Sequence, residues 1–210
     1  MATVARLEII FMSYSDFTLS EVKRRFTLAV VEDVVLFAKP PSLPAPARLV
    51  ELLRQYIPLA TSINTEKARS ELIIAPILAE LKLLYREQIS LFSGIEFNVD
   101  PLVGLNGRCD YILAQSPEQL ELNAPVVMMV EAKNENMIAG IPQCIAEMVA
   151  AQRYNVSQET SIEIIYGCVT TGSLWRFLKL QGQTVYVDMA EYPVQNLETI
   201  LGILAEAATS

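Results

Sequence analysis

The chain has 210 residues, of which 52% are apolar, 24 are acidic and 16 are basic, and it contains no histidine. A chain of this length buries roughly 70% of the surface its unfolded form exposes, so one large domain needs no disulfide or structural metal. Without histidine, a Ser-His-Asp triad, a Cys-His dyad, a histidine-zinc hydrolase and a histidine-based nuclease are excluded, which leaves hydrolysis to carboxylates, lysine and a hard cation such as Mg²⁺.

Residues 1–17 hold only a short apolar stretch at 7–12, interrupted before it properly begins by Glu8, and no basic region precedes it. No signal peptide is expected, and with no apolar run near the ~18 residues of a membrane span, a cytoplasmic location is. Ser20 is the expected N-cap of a helix over 21–27, which carries the basic cluster Lys23-Arg24-Arg25. Residues 28–37 are apolar apart from Glu32 and Asp33 and suit either helix or strand. Four prolines in the seven positions 40–46 then make an extended connector. This connector sets off an N-terminal extension, residues 1–60, from a core over 61–210.

A short helix over 47–56 follows, and then a longer one capped by Thr65, running from 66 towards 85 and kinked or restarted at Pro76. Three extended segments come next, at 93–99, 108–114 and 126–133, with Gly104 and Asn106-Gly107 as turn signals between the first two. The third is apolar throughout, Val126-Val127-Met128-Met129-Val130, as a strand buried on both faces should be. Pro142 suits the first position of a helix reaching 154. Strands over 162–170, 174–180 and 184–189 and a terminal helix over 194–207 complete an α/β chain with a mixed sheet flanked by helices. The three cysteines, Cys109, Cys144 and Cys168, lie far apart among core-like neighbours and are expected as buried free thiols.

The apolar third strand ends in Glu131-Ala132-Lys133. With a period of two, Glu131 and Lys133 project from one face and Ala132 from the other. The preceding strand holds Asp110 among apolar neighbours. Buried carboxylates are costly unless compensated, and a bound cation compensates them well. Two of them converging from adjacent strands make a hard-metal site, beside which a lysine can orient water or stabilise charge on phosphorus. Spacing alone leaves another reading open, in which Asp110 pairs with Arg108 and Glu131 pairs with Lys133 at a solvated strand end. Likewise Trp175 and Arg176 could touch a nucleic acid, although a tryptophan on an amphipathic strand is more often core.

Asp110, twenty intervening residues and Glu131-Ala132-Lys133 resemble the motif of the PD-(D/E)XK nuclease superfamily, with Cys109 in place of the motif's usual proline. The helix, three strands, helix and strand between residues 66 and 170 resemble that family's restriction-endonuclease-like core. Glu71 stands where the family often has a further acid on the first core helix, and Gln143 where it often has a polar residue early in the next helix, with Glu147 one turn on. The tyrosine that some members carry four residues after the glutamine is absent. The resemblance, over about half the chain, implies an Mg²⁺ or Mn²⁺ site made by Asp110, Glu131 and the main-chain carbonyl of Ala132, assisted by Glu71. It implies that Lys133 positions the attacking water, with Gln143 beside it.

The expected function is metal-dependent hydrolysis of a nucleic acid, DNA before RNA, with a homodimer compatible and no membrane involved. Two alternatives stand beside it: a non-catalytic or regulatory protein that keeps the fold, and a metal-dependent hydrolase of a small phosphorylated molecule. The net charge of −8 favours the alternatives, because nucleic-acid affinity comes largely from phosphate neutralisation by Lys and Arg.

Overall fold

The structure, a computed structural model, describes residues 12–160 and 162–209. Most of the segment on which the absence of a signal peptide was read, residues 1–11, lies outside the described residues.

Helix α1, Leu19–Phe26, opens on Thr18, not on Ser20. The Thr18 hydroxyl accepts the Glu21 N–H at 3.3 Å while the Glu21 carboxylate accepts the Thr18 N–H at 2.9 Å, a reciprocal pair that Ser20 has no acid to complete. The ambiguous apolar run becomes strand β1, Ala29–Val34, and the proline connector leads to α2, Ala47–Ile63. This helix runs past the expected end at 56 with Pro58 inside it, held by the buried Leu49, Leu53 and Ala60. The boundary read at residue 60 therefore falls within α2.

Thr65 caps the next helix as expected, its side chain accepting the Ala68 N–H at 3.2 Å. The break read at Pro76 takes the form of a π turn, Ser70–Ile74, between α3, Glu66–Arg69, and α4, Ala75–Leu84. The Ala75 N–H reaches five residues back to the Ser70 carbonyl. The wider turn accommodates a proline that has no N–H to give and whose ring would crowd the carbonyl four residues back.

Strands β2, Ser90–Glu96, β3, Arg108–Ala114, and β4, Val126–Ala132, follow, the first starting three residues before its expected position. Helix α5, Met137–Ser157, opens five residues before Pro142. Its start is set by Asn136, whose side chain accepts the Ala139 N–H at 3.3 Å, and Pro142 forfeits only one hydrogen bond, at the exposed Ile138. Strands β5, Ile164–Thr170, β6, Leu174–Gln181, β7, Thr184–Asp188, and β8, Tyr192–Pro193, come next. A 3₁₀ turn at Val194–Asn196 then leads into α6, Leu197–Thr209.

The strands form one mixed eight-stranded sheet in the order β1-β7-β6-β5-β4-β3-β2, with β8 paired to β6. Strands β2, β3 and β4 form an antiparallel meander, and α5 carries the chain over to β5, which lies parallel to β4. The segment before residue 61 contributes β1, parallel to β7 at one edge. Alternate side chains separate two apolar layers. On one face Tyr111, Leu113, Met128, Val130 and Phe177 pack with α2, α4 and α6. On the other, Ile112, Met129, Val169 and Leu178 pack with α1 and α5. Every residue of β4 is buried, as its unbroken apolar run required. No helix among the described residues is long and apolar enough to cross a membrane.

Candidate active site

The site lies where β3 and β4 part. Their last paired residues at this end are Tyr111 and Val130, so Asp110 and Glu131 come next on the two strands, directly across from each other. Glu131 faces α5, whose Gln143 shares its lysine partner, while Asp110 also borders a hollow on the α3 side. In place of a further ladder bond, the Ala132 N–H donates to the Asp110 carboxylate at 2.8 Å. The carbonyl of a strand residue points to the same edge as its N–H, so the Ala132 carbonyl is also directed towards β3. The Lys133 N–H turns the other way, to the Thr170 carbonyl of β5 at 2.8 Å.

Three of the expected residues meet in one hydrogen-bonded chain, and a fourth extends it. Asp110 lies close enough to Glu131 for its charge to act on it. Glu131 Oε1 accepts from Lys133 Nζ at 2.5 Å, and Lys133 Nζ also donates to Gln143 Oε1 at 3.2 Å. Gln143 Nε2 in turn donates to Glu147 Oε1 at 3.2 Å. The Lys133 stem passes against α5 at Gly140, where a Cβ would stand 3.0 Å from Lys133 Cγ and 2.8 Å from Val169 Cγ1. A bare backbone there lets the helix approach the lysine.

Burial dominates the electrostatics. Glu131 is 1% exposed, and desolvation, followed by the neighbouring Asp110, pushes its carboxyl up to about 8 against the pull of Lys133. Asp110 is raised by burial, offset in part by the Ala132 N–H and by Lys133. Glu147 is fully buried and lies well above the usual carboxylate range, through burial and then the charge of Glu131. Burial pulls the Lys133 ammonium down, but Glu131, Glu66 and Asp110 outweigh it and hold the group above its ordinary value.

Glu71 is placed differently. It lies at the rim of a hollow of about 310 Å³ whose lining includes Asp110, Tyr111, Ala132, Glu66 and Gly94. Its carboxylate pairs with Lys67 at 2.7 Å and is 60% exposed. From the same helix it is Glu66 whose charge acts on both Glu131 and Lys133. Its neighbour Ser70, one turn on, is anchored to the strand by a 2.6 Å hydrogen bond to the Tyr111 hydroxyl. Sequence reasoning missed Glu66 and gave Glu147 no role. The signals were present: Glu66 and Ser70 share a helix face, and Glu147 interrupts an apolar face one turn after Gln143.

The alternative pairings resolve individually. Arg108 reaches Glu96 across the β2–β3 ladder at 3.3 Å, not Asp110. Glu131 and Lys133 do pair, but in the interior, with one glutamate oxygen left without a protein partner. Trp175 is fully buried, its indole N–H given to the Gly172 carbonyl at 3.0 Å, and the Arg176 guanidinium pairs with Glu191. All three cysteines are buried and free, as expected.

Among the described residues, no group of three or more aspartate, glutamate or cysteine side chains stands where it could hold a metal ion. The donors at the strand divergence are two carboxylates and a carbonyl, hard oxygen ligands of the kind that Mg²⁺ and Mn²⁺ take. The partnerless buried oxygen of Glu131 fits such a role, since an orphaned anionic acceptor is costly without a cation. No protein-family model matches the chain, and no curated protein matches it either.

Proposed function

We propose that this chain is a metal-dependent phosphodiesterase of the PD-(D/E)XK type, acting on DNA before RNA. The observation that carries the reading is the meeting of Asp110, Glu131 and Lys133 where β3 and β4 diverge, with the Ala132 N–H given to Asp110 and the Lys133 ammonium to Glu131. The element order supports it: a helical segment, strands β2, β3 and β4, helix α5 and strand β5 follow one another as the resemblance implies for that family's core.

Asp110, Glu131 and the Ala132 carbonyl would hold Mg²⁺ or Mn²⁺, which when bound supplies a Lewis acid for phosphoryl oxygen and acidifies water. Glu131, whose carboxyl burial holds up to about 8, must be ionised to do so. Lys133, released from one of its two acceptors, orients water or donates to charge developing on phosphorus. Gln143 keeps the lysine against the strands, and Glu66 and Glu71 line the approach on the α3 side, where water or a second cation would be held.

A second reading draws on the lining of that approach. The hollow is small, and Glu66 and Glu71 leave it with more acid than base, which suits a small phosphorylated substrate better than a polyanion. Both readings are tested by incubating the protein with single- and double-stranded DNA, RNA and a small aryl phosphodiester, each with Mg²⁺ or Mn²⁺. Lys133→Ala should lower cleavage by ~10²–10³. Cleavage of the aryl ester alone selects the small-substrate reading. Equal rates in the two proteins would place the activity elsewhere, and no cleavage of any substrate would leave the non-catalytic alternative.

A further inference from the structure

Glu147 sits at the far end of the hydrogen-bonded chain and is fully buried in an otherwise apolar helix face shared with Cys144, Ile145 and Met148. A carboxyl in such a place is destabilising relative to an apolar side chain of similar volume, so packing does not account for it. Its surroundings offer it little: Cys109, Cys144 and Tyr14 lie near it, and the Tyr14 hydroxyl is already given to the Phe97 carbonyl at 2.6 Å. One of its oxygens has no protein partner among the described residues, and the other accepts from Gln143 Nε2.

The Gln143 amide has two unlike ends, and only one orientation serves Lys133. An ammonium is purely a donor, so it needs the amide oxygen, and the amide nitrogen is then aimed at residue 147. If no acceptor stood there, the NH₂ would be left without a partner, and only the ammonium itself would hold the amide in this orientation. The geometry points to Glu147 as a positioning residue that sets the orientation of the Gln143 amide and, through it, holds the Lys133 ammonium beside Glu131. Glu147 thus acts at second hand and touches neither substrate nor cation. The importance of Lys133 rests on the function proposed above, whereas the hydrogen-bond order does not.

The experiment follows the Gln143 side-chain NH₂ signal and the Lys133 Cε signal by NMR at fixed pH in the metal-free protein. Both are assigned by their loss in Q143L and K133A. In the wild type the Gln143 NH₂ should exchange slowly with solvent. Glu147→Leu should speed that exchange at least about tenfold and shift or broaden the Lys133 signal, while Glu147→Gln, which still offers an acceptor oxygen, should preserve both. A Q143L/E147L double variant should perturb Lys133 no more than Q143L does. Unchanged Gln143 exchange and Lys133 signal in a folded E147L protein, or equal disturbance by Gln and Leu, would overturn the assignment. Should the leucine variant fail to fold, Glu147→Met provides the same removal of the acceptor with a more adaptable shape. Where the wild type cleaves a phosphodiester, E147L should lower kcat and leave KM unchanged. Where it cleaves nothing, the two NMR signals decide the matter without reference to activity.

Discussion

At Glu131 a carboxyl with almost no solvent contact has Lys133 on one oxygen and no protein partner on the other. Its ionisation is held up to about 8, against about 4.5 in an unfolded chain, so between those values the folded state binds a proton that the unfolded state has lost. Stability must therefore fall as pH rises through this window, and Asp110 and Glu147, also raised by burial, act in the same direction. The midpoint of thermal unfolding should drop between pH 5 and pH 9 in the absence of divalent cations, and the drop should be smaller in Glu131→Gln. A midpoint that climbs over this range, or an equal drop in the variant, would show that the group is not strained in this way. Gly140 gives a second residue-level prediction. A methyl group there meets Val169 and the Lys133 stem, so Gly140→Ala should cost about 1–3 kcal/mol by urea unfolding and displace the lysine. A neutral result would mean that α5 can back away from the strand.

Among the elements, the proline connector is the least regular and yet is closely docked. The Leu43 N–H bonds the Glu198 carbonyl of α6 at 2.9 Å, and a Cβ on Gly202 would run into the Pro41 carbonyl and stand 2.8 Å from the Ser42 nitrogen. Backbone against backbone gives no flexible side chain to move aside. Gly202→Ala should destabilise the fold by at least about 1–3 kcal/mol in denaturant titration, more than the gain in helix propensity can offset. The corresponding change at the exposed Gly182 tests something else: nothing lies within 4 Å of a Cβ there, and only its positive φ of 58° resists substitution. The elements also show where local pattern is a sufficient guide. Strands β3 and β4 were legible because an apolar run with period-two charge placement has few other readings. Helix starts were less so: Thr18 and Asn136 act as caps through particular side-chain bonds, while Ser20 and Pro142, with good local credentials, lie inside helices.

Over the whole molecule, one sheet separates two apolar layers, and its central strands contribute alternate side chains to each. Neither layer can lose its packing without exposing the other side of those strands, so the chain should unfold as one unit. The single tryptophan, Trp175, is fully buried in the layer of α2, α4 and α6. Its fluorescence should change in denaturant at the same midpoint as far-UV circular dichroism. Separated transitions would mean that the α1–α5 side melts independently.

The route from residues to site divides along the same physical lines. Asp110, Glu131 and Lys133 could be read directly because charge in an apolar strand is rare and costly, and period-two alternation puts Glu131 and Lys133 on one face. The lack of histidine likewise restricted the chemistry before any fold was known. That Gln143 reaches Lys133 and that Glu147 stands behind it depended on how closely α5 packs over β4, a distance governed by Gly140 and by side chains remote in sequence. The weight of Glu66 beside the Lys67-bound Glu71 depended on the π turn, which changes the phase of the helix just where an acid on its face must be assigned. Local pattern records which groups are out of place in an apolar segment; only packing between distant segments decides which of them meet.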